Sequence, residues 1–149
     1  MKHSFPLEQE LFEPIVTYFE QQHCIVASEV HIGFCRADVV AFHPDKTVSA
    51  LELKLSDWKK ALIQAKNYQL GADYVYVVFP MAKCPLVLQR AQHDFTENGI
   101  GLFVVDEITK SVQRVLSAAM SKRKIGTLTL DEVWLQKTTS KTKKEQTRH

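Results

Sequence analysis

The segment YVYVVF, residues 74–79, is apolar at every position. A strand apolar on both faces needs cover on both, which a one-sided antiparallel sheet cannot provide. The chain must therefore layer helices on each side of a sheet. At 149 residues it is long enough to bury the core that such a layering requires.

The neighbouring segments fit this demand. Ser4 and Pro6 read as a helix start, with Leu7, Leu11, Ile15 and Phe19 as its buried stripe and a kink or break expected near Phe12 or Glu13 because of Pro14. Strands are predicted over residues 24–30, 37–43 and 47–55, the last two joined by the turn Pro44-Asp45-Lys46. Ser56 is expected to cap a helix over residues 57–70, with Gly71 just beyond its end. After the strand at 74–79, residues 86–97 read as an amphipathic helix and 102–105 as a strand, with 112–116 pairing to it across the EITKS turn. Thr129 and Glu132 read as the capping box of a last short helix over residues 130–136, docked by Trp134. The pattern predicts an α/β domain around a mixed central sheet flanked by helices, in the order α-β-β-β-α-β-α-β, over residues 1–135.

One strand of this plan carries charge where a core is expected. In ALELKL, Leu51, Leu53 and Leu55 share one face while Glu52 and Lys54 share the other. An exposed ion pair on a solvated face is the plain explanation. Two features argue for more. If the turn is the three-residue loop Pro44-Asp45-Lys46, residues pair across the hairpin so that Asp38 lies opposite Glu52; a two-residue loop would instead turn Asp38 to the leucine face. Facing carboxylates repel unless a cation lies between them, and hard oxygen ligands suit Mg²⁺ or Mn²⁺. In the following helix, Gln64 and Tyr68 lie on one stripe with Lys60 a turn earlier, able to reach a phosphate or base, or equally to leave Tyr68 in the core and Gln64 at the surface.

Asp38, then Glu52-Leu53-Lys54, then Gln64-Ala65-Lys66-Asn67-Tyr68 resembles the PD-(D/E)XK nuclease superfamily with the QxxxY helix signature of RecB-type nucleases. The resemblance spans roughly residues 7–106 and is nearest to small stand-alone bacterial members of unassigned function, whose first helix is similar to Glu10-Leu11-Phe12-Glu13-Pro14-Ile15-Val16. It implies a restriction-endonuclease-like core and a Mg²⁺- or Mn²⁺-dependent phosphodiester hydrolase acting on DNA. It further implies that Asp38, Glu52 and the Leu53 carbonyl hold the metal, that Lys54 orients or deprotonates water, and that Gln64, Tyr68 and Lys60 position the nucleic acid. Glu10 would be the first-helix acid, with Glu29 a weaker candidate. Ala37 stands where the superfamily's proline is usual.

Charge and cysteines set the remaining bounds. The chain carries +2 and residues 136–149 carry +4, so the rest carries −2. That tail lacks apolar residues, which predicts disorder and either phosphate contact or a solubilising end. The short basic cluster Lys122-Arg123-Lys124 reads as a solvated loop that could extend a phosphate-contacting surface. Cys24, Cys35 and Cys84 are odd in number and lack zinc spacing, so buried thiols in a reduced cytoplasm are expected. No pair of histidines is spaced i, i+4 for a metal, no run is long enough to span a membrane, and no apolar signal segment opens the chain. With no evident specificity domain, recognition of DNA structure or ends, a homodimer or a partner protein is implied. A nuclease-fold protein that binds nucleic acid or regulates without cleaving, and a protein-interaction module with an ion-pair face, are the alternative readings.

Overall fold

The computed structural model describes residues 8–130. A 3-10 turn, Glu8–Leu11, leads into α1 (Phe12–Glu20), followed by β1 (Ile25–Ile32), β2 (Cys35–Phe42), β3 (Val48–Leu53), α2 (Trp58–Tyr68), β4 (Tyr74–Pro80), α3 (Cys84–Glu97), β5 (Gly101–Val105) and β6 (Val112–Leu116). The six strands form one mixed sheet in sequence order. Its centre, β3-β4-β5, is parallel, and antiparallel hairpins extend it on both sides. Among the described residues no helix is long and apolar enough to cross a membrane.

The predicted α/β layering is present, and both faces of the sheet are covered. On one face α2 and α3 enclose Val40, Ala50, Val75, Val77, Phe79 and Phe95. On the other, α1 packs Leu11, Ile15 and Phe19 against Val39, Leu51, Leu53, Val78 and Phe103. Every residue of β3 is buried, so neither of its faces is open to solvent. Its second face is a second core, and Glu52 and Lys54 lie at the edge of that core.

Local differences from the sequence reading have simple causes. The break before α1 falls at Leu11, so Pro14 sits in the first helical turn, where a missing N–H costs nothing. Asp57, rather than Ser56, caps α2, because its Oδ1 accepts from the Lys60 amide at 3.1 Å. Cys24 is buried and its thiol approaches His43 Nδ1 at 3.3 Å, while His43 Nε2 meets Ser49 Oγ at 2.7 Å. Two members of the basic cluster are engaged at a clamp. Lys124 Nζ pairs with Asp73 at 2.5 Å, and Arg123 donates to Lys66 O and Gln69 Oε1. The helix start at Ser4 and Pro6, the last helix beyond Leu130 and the basic tail lie outside the described residues.

Candidate active site

The β2–β3 hairpin sets the site. His43 N donates to Thr47 O at 2.9 Å around Pro44-Asp45-Lys46, and Lys46 adopts φ 74, the left-handed third position of a three-residue turn. This turn gives the register Val39↔Leu51, Val40↔Ala50 and Ala41↔Ser49. The paired ladder ends at Val39↔Leu51, and Asp38 follows just beyond it, beside the C-terminal end of β3. Asp38 is tied there, since its Oδ2 accepts from the Leu53 amide at 2.8 Å. Glu52 and Lys54 come at the C-terminal end of β3, where the Lys54 amide donates to Val78 O of β4. Ligands in α/β sheets gather at this end of parallel strands.

Glu52 is 4% exposed and Lys54 9%. Lys54 Nζ lies 3.5 Å from Glu52 Oε2, and the Tyr68 hydroxyl donates to Glu52 Oε1 at 2.6 Å while standing 2.9 Å from Arg36 O. A solvated ion pair is therefore excluded. Burial above all, with Asp38 adding repulsion, pushes the Glu52 carboxyl up to about 7 against the pull of Tyr68 and Lys54. Burial also raises Asp38, helped by the charges of Glu8 and Glu29, against the Leu53 amide. Burial and the carboxylates beside it hold the Tyr68 phenol far above its ordinary range, so it stays a donor.

Beside this pair opens a cleft of about 560 Å³ lined by Glu8, Phe12, Ser28, Glu29, Asp38 and Leu53, among others. Each ionisable side chain lining it is an acid. Such a cleft repels phosphate on its own and attracts a cation. Glu29 stands at φ 54 between the pairs Ser28↔Val39 and Val30↔Ala37, an interruption of the ladder opposite Asp38. Left-handed backbone at a non-glycine residue inside a strand is uncommon, and such strain gathers at functional sites.

The structure corrects several sequence readings. Glu10 lines a separate hollow of about 980 Å³ with Glu13, Tyr18 and Lys110, and Glu8 is the first-helix acid that reaches Asp38's cleft. The 3-10 turn is the reason: residues three apart eclipse there, so Glu8 shares the side of buried Leu11. Glu52 is held by α2 through Tyr68, while Asp38 and Leu53 line the cleft beside the first helix. Tyr68 is 0% exposed, and its hydroxyl is turned inward to Glu52 and Arg36 O. Lys60 is exposed on α2, and Gln64 is half-buried one turn before Tyr68. Gln64 Oε1 is buried without a partner among the described residues, an acceptor left for an incoming donor.

The donor set fits a hard divalent ion in chemistry, as the neighbouring carboxylates of Asp38 and Glu52, the first lining an acidic cleft. Among the described residues no three His, Cys, Asp or Glu side chains form a ready metal cluster. Magnesium is commonly held by one or two carboxylates with water and phosphate oxygens completing its shell, so two suffice.

Fold and site together define an α/β domain with an acid–acid–lysine set at the carboxyl edge of its parallel strands. No protein-family model matches the chain, and no curated protein matches it in sequence. Among solved structures it is similar to the SPO1766 protein of unknown function from Silicibacter pomeroyi, at 17% identity and a TM-score of 0.68, over 95% of this chain and 90% of that one. At that identity the likeness shows a shared fold. Pyrococcus furiosus SfsA in complex with Ca²⁺ aligns at 12% identity and a TM-score of 0.40 over 75% of this chain and 61% of that one, too slight to bear on function.

The Tyr68 contact yields an expected result. Tyr68→Phe removes the donor that favours ionised Glu52, so the Glu52 carboxyl should rise further and any activity that needs it ionised should move to higher pH. Loss of this hydrogen bond to a charged group should destabilise the fold by about 1.5–3 kcal/mol, read by urea denaturation. Unchanged stability and pH profile would mean that the phenol serves only Arg36 O.

Proposed function

We propose that this chain is a metal-dependent nuclease of the PD-(D/E)XK kind, hydrolysing phosphodiester bonds in DNA. The observation that supports it most is Asp38, tied to the Leu53 amide and near enough for its charge to act on Glu52, with Lys54 Nζ 3.5 Å from the Glu52 carboxylate. Asp38 and Glu52, with the Leu53 carbonyl, would hold Mg²⁺ or Mn²⁺. A divalent ion there supplies a Lewis acid for the phosphoryl oxygen and lowers the pKa of water. Lys54 sets its charge where negative charge builds on the phosphate. Tyr68 keeps Glu52 in place, and Gln64 Oε1 offers an acceptor to water or substrate.

The closed Glu52–Lys54 pair supports a second reading, a nucleic-acid-binding protein of this fold that does not cleave. The test is incubation of the purified chain with single-stranded, blunt duplex and flapped DNA in Mg²⁺, in Mn²⁺ and in chelator. A Lys54→Ala preparation controls for contaminating nuclease. Metal-dependent cleavage by the wild type alone is the expected result. DNA bound but never cut would replace this reading with the second, and DNA neither bound nor cut would end both.

A further inference from the structure

Phe34 is 99% exposed at the tip of the β1–β2 hairpin, yet its backbone is held fast. Its amide donates to Asn67 Oδ1 at 3.3 Å, and Asn67 Nδ2 donates to Ile32 O at 2.5 Å, so one side chain of α2 grips both sides of the turn. Gly33 has φ +63, and a Cβ there would stand 2.6 Å from Asn67 Oδ1. Only glycine fits, and the turn is built to point an aromatic ring at solvent. An exposed phenyl ring gives up the burial that normally stabilises it, which calls for a partner that covers it.

The surroundings indicate the partner's chemistry. His31 pairs across the hairpin with Arg36, both exposed. Residues 30–37 and 59–70 contain Arg36, Lys59, Lys60 and Lys66 and no acid. Arg123 adds its guanidinium at the end of α2, against Lys66 O and Gln69. Ile63, 69% exposed one turn before Asn67, widens the apolar spot. An aromatic ring in a basic field is the surface that takes a nucleobase by stacking and its phosphates by charge. A membrane-binding patch would need a larger apolar area than one ring and one isoleucine. The patch is also connected to the carboxylates: Arg36, two residues from Phe34, presents its carbonyl to the Tyr68 hydroxyl that holds Glu52.

We infer that Phe34 is a stacking platform for an unpaired base, carried on the basic α2 surface that leads to the Asp38–Glu52 site. The inference rests on the nuclease-fold reading and gives it a substrate class: single strands, or duplex ends whose last base is free to leave the stack. Inside an intact duplex each base is already stacked on its neighbours and has no face to offer.

The probe is a DNA oligonucleotide with 2-aminopurine in a single-stranded 3′ end, beside a blunt duplex of the same length, titrated in Ca²⁺ with the wild type, Phe34→Ala and Phe34→Trp. Thermal unfolding should be unchanged in both variants, because the ring touches no core. The wild type should quench 2-aminopurine. Phe34→Ala should lose that quenching and bind the single-stranded end roughly 5- to 150-fold more weakly, as base–aromatic stacking generally implies. Phe34→Trp should retain both. Equal binding by wild type and Phe34→Ala, or equal losses on the blunt duplex, would overturn the stacking role and leave the nuclease reading standing. A wild type that binds neither DNA overturns the nuclease reading itself.

Discussion

Lys54→Ala should abolish most cleavage while leaving divalent-metal affinity intact or improved. Its ammonium stands 3.5 Å from Glu52 Oε2, and removing it takes away a cation that would repel a metal ion held there, an effect to be read above the Glu52 titration, where that carboxylate is ionised with or without Lys54. The rate should fall by about 10²–10³, the usual effect of losing one preorganised charged group at the reacting centre. Asp38→Ala should lose both cleavage and metal, since a lone Glu52 makes a poor magnesium site. Because Lys54 is buried, Lys54→Met serves as a packing control that keeps the stem and removes only the charge. Wild-type cleavage by Lys54→Ala would make Lys54 a structural partner of Glu52 and nothing more.

The second large effect is on stability. Burial holds the folded Glu52 carboxyl at about 7, against 4.5 ordinarily. Between those values the folded state binds more protons than the unfolded one, so stability falls as pH rises. The contribution is fully present below pH 4.5 and lost on passing 7. Its size is roughly 3 kcal/mol at about 1.4 kcal/mol per unit. Asp38, also raised, acts in the same direction. His43 opposes them, because burial lowers its pKa from 6.5 and neutral imidazole favours the fold as pH rises. Glu52→Gln isolates the effect. In chelator the wild type should lose about 2–3 kcal/mol more than Glu52→Gln between pH 5 and pH 8. Mg²⁺ at pH 8 should restore stability to the wild type only. Equal slopes in the two proteins would show that Glu52 does not titrate in this window.

What was legible in the sequence was the part governed by period. Residues 74–79 demanded cover on both faces, whereas the hairpin register stood open between a two- and a three-residue loop until the bond from His43 N to Thr47 O closed the longer one. What was not legible depends on which layer covers which face. Alternation separates Leu53 from Glu52 and Lys54 but does not say that α2 holds Glu52, so Tyr68 could be read as a nucleic-acid contact when it is a buried brace. The resemblance points to Glu10 through the stretch from Glu10 to Val16, but the 3-10 turn, which no pattern there announces, brings Glu8 to the cleft instead. Glu29 owes its place in the cleft to a left-handed backbone inside a strand, which nothing in SEVHI announces. The mount of Phe34 is similar: Gly33 marks a turn, but only the fold brings Asn67 to grip it.

The central claim is that Asp38 and Glu52 together bind a divalent cation, and Mn²⁺ calorimetry at pH 6.5 in two buffers of different ionisation enthalpy tests it. A carboxyl held at about 7 must give up its proton to bind metal, so binding should release protons at pH 6.5 and almost none at pH 8.5. Asp38→Ala should abolish the heat at both. Saturable Mn²⁺ binding with buffer-dependent heat at the lower pH alone, lost in Asp38→Ala, is the result expected. No Mn²⁺ binding by the wild type, or binding that survives Asp38→Ala unchanged, would contradict it.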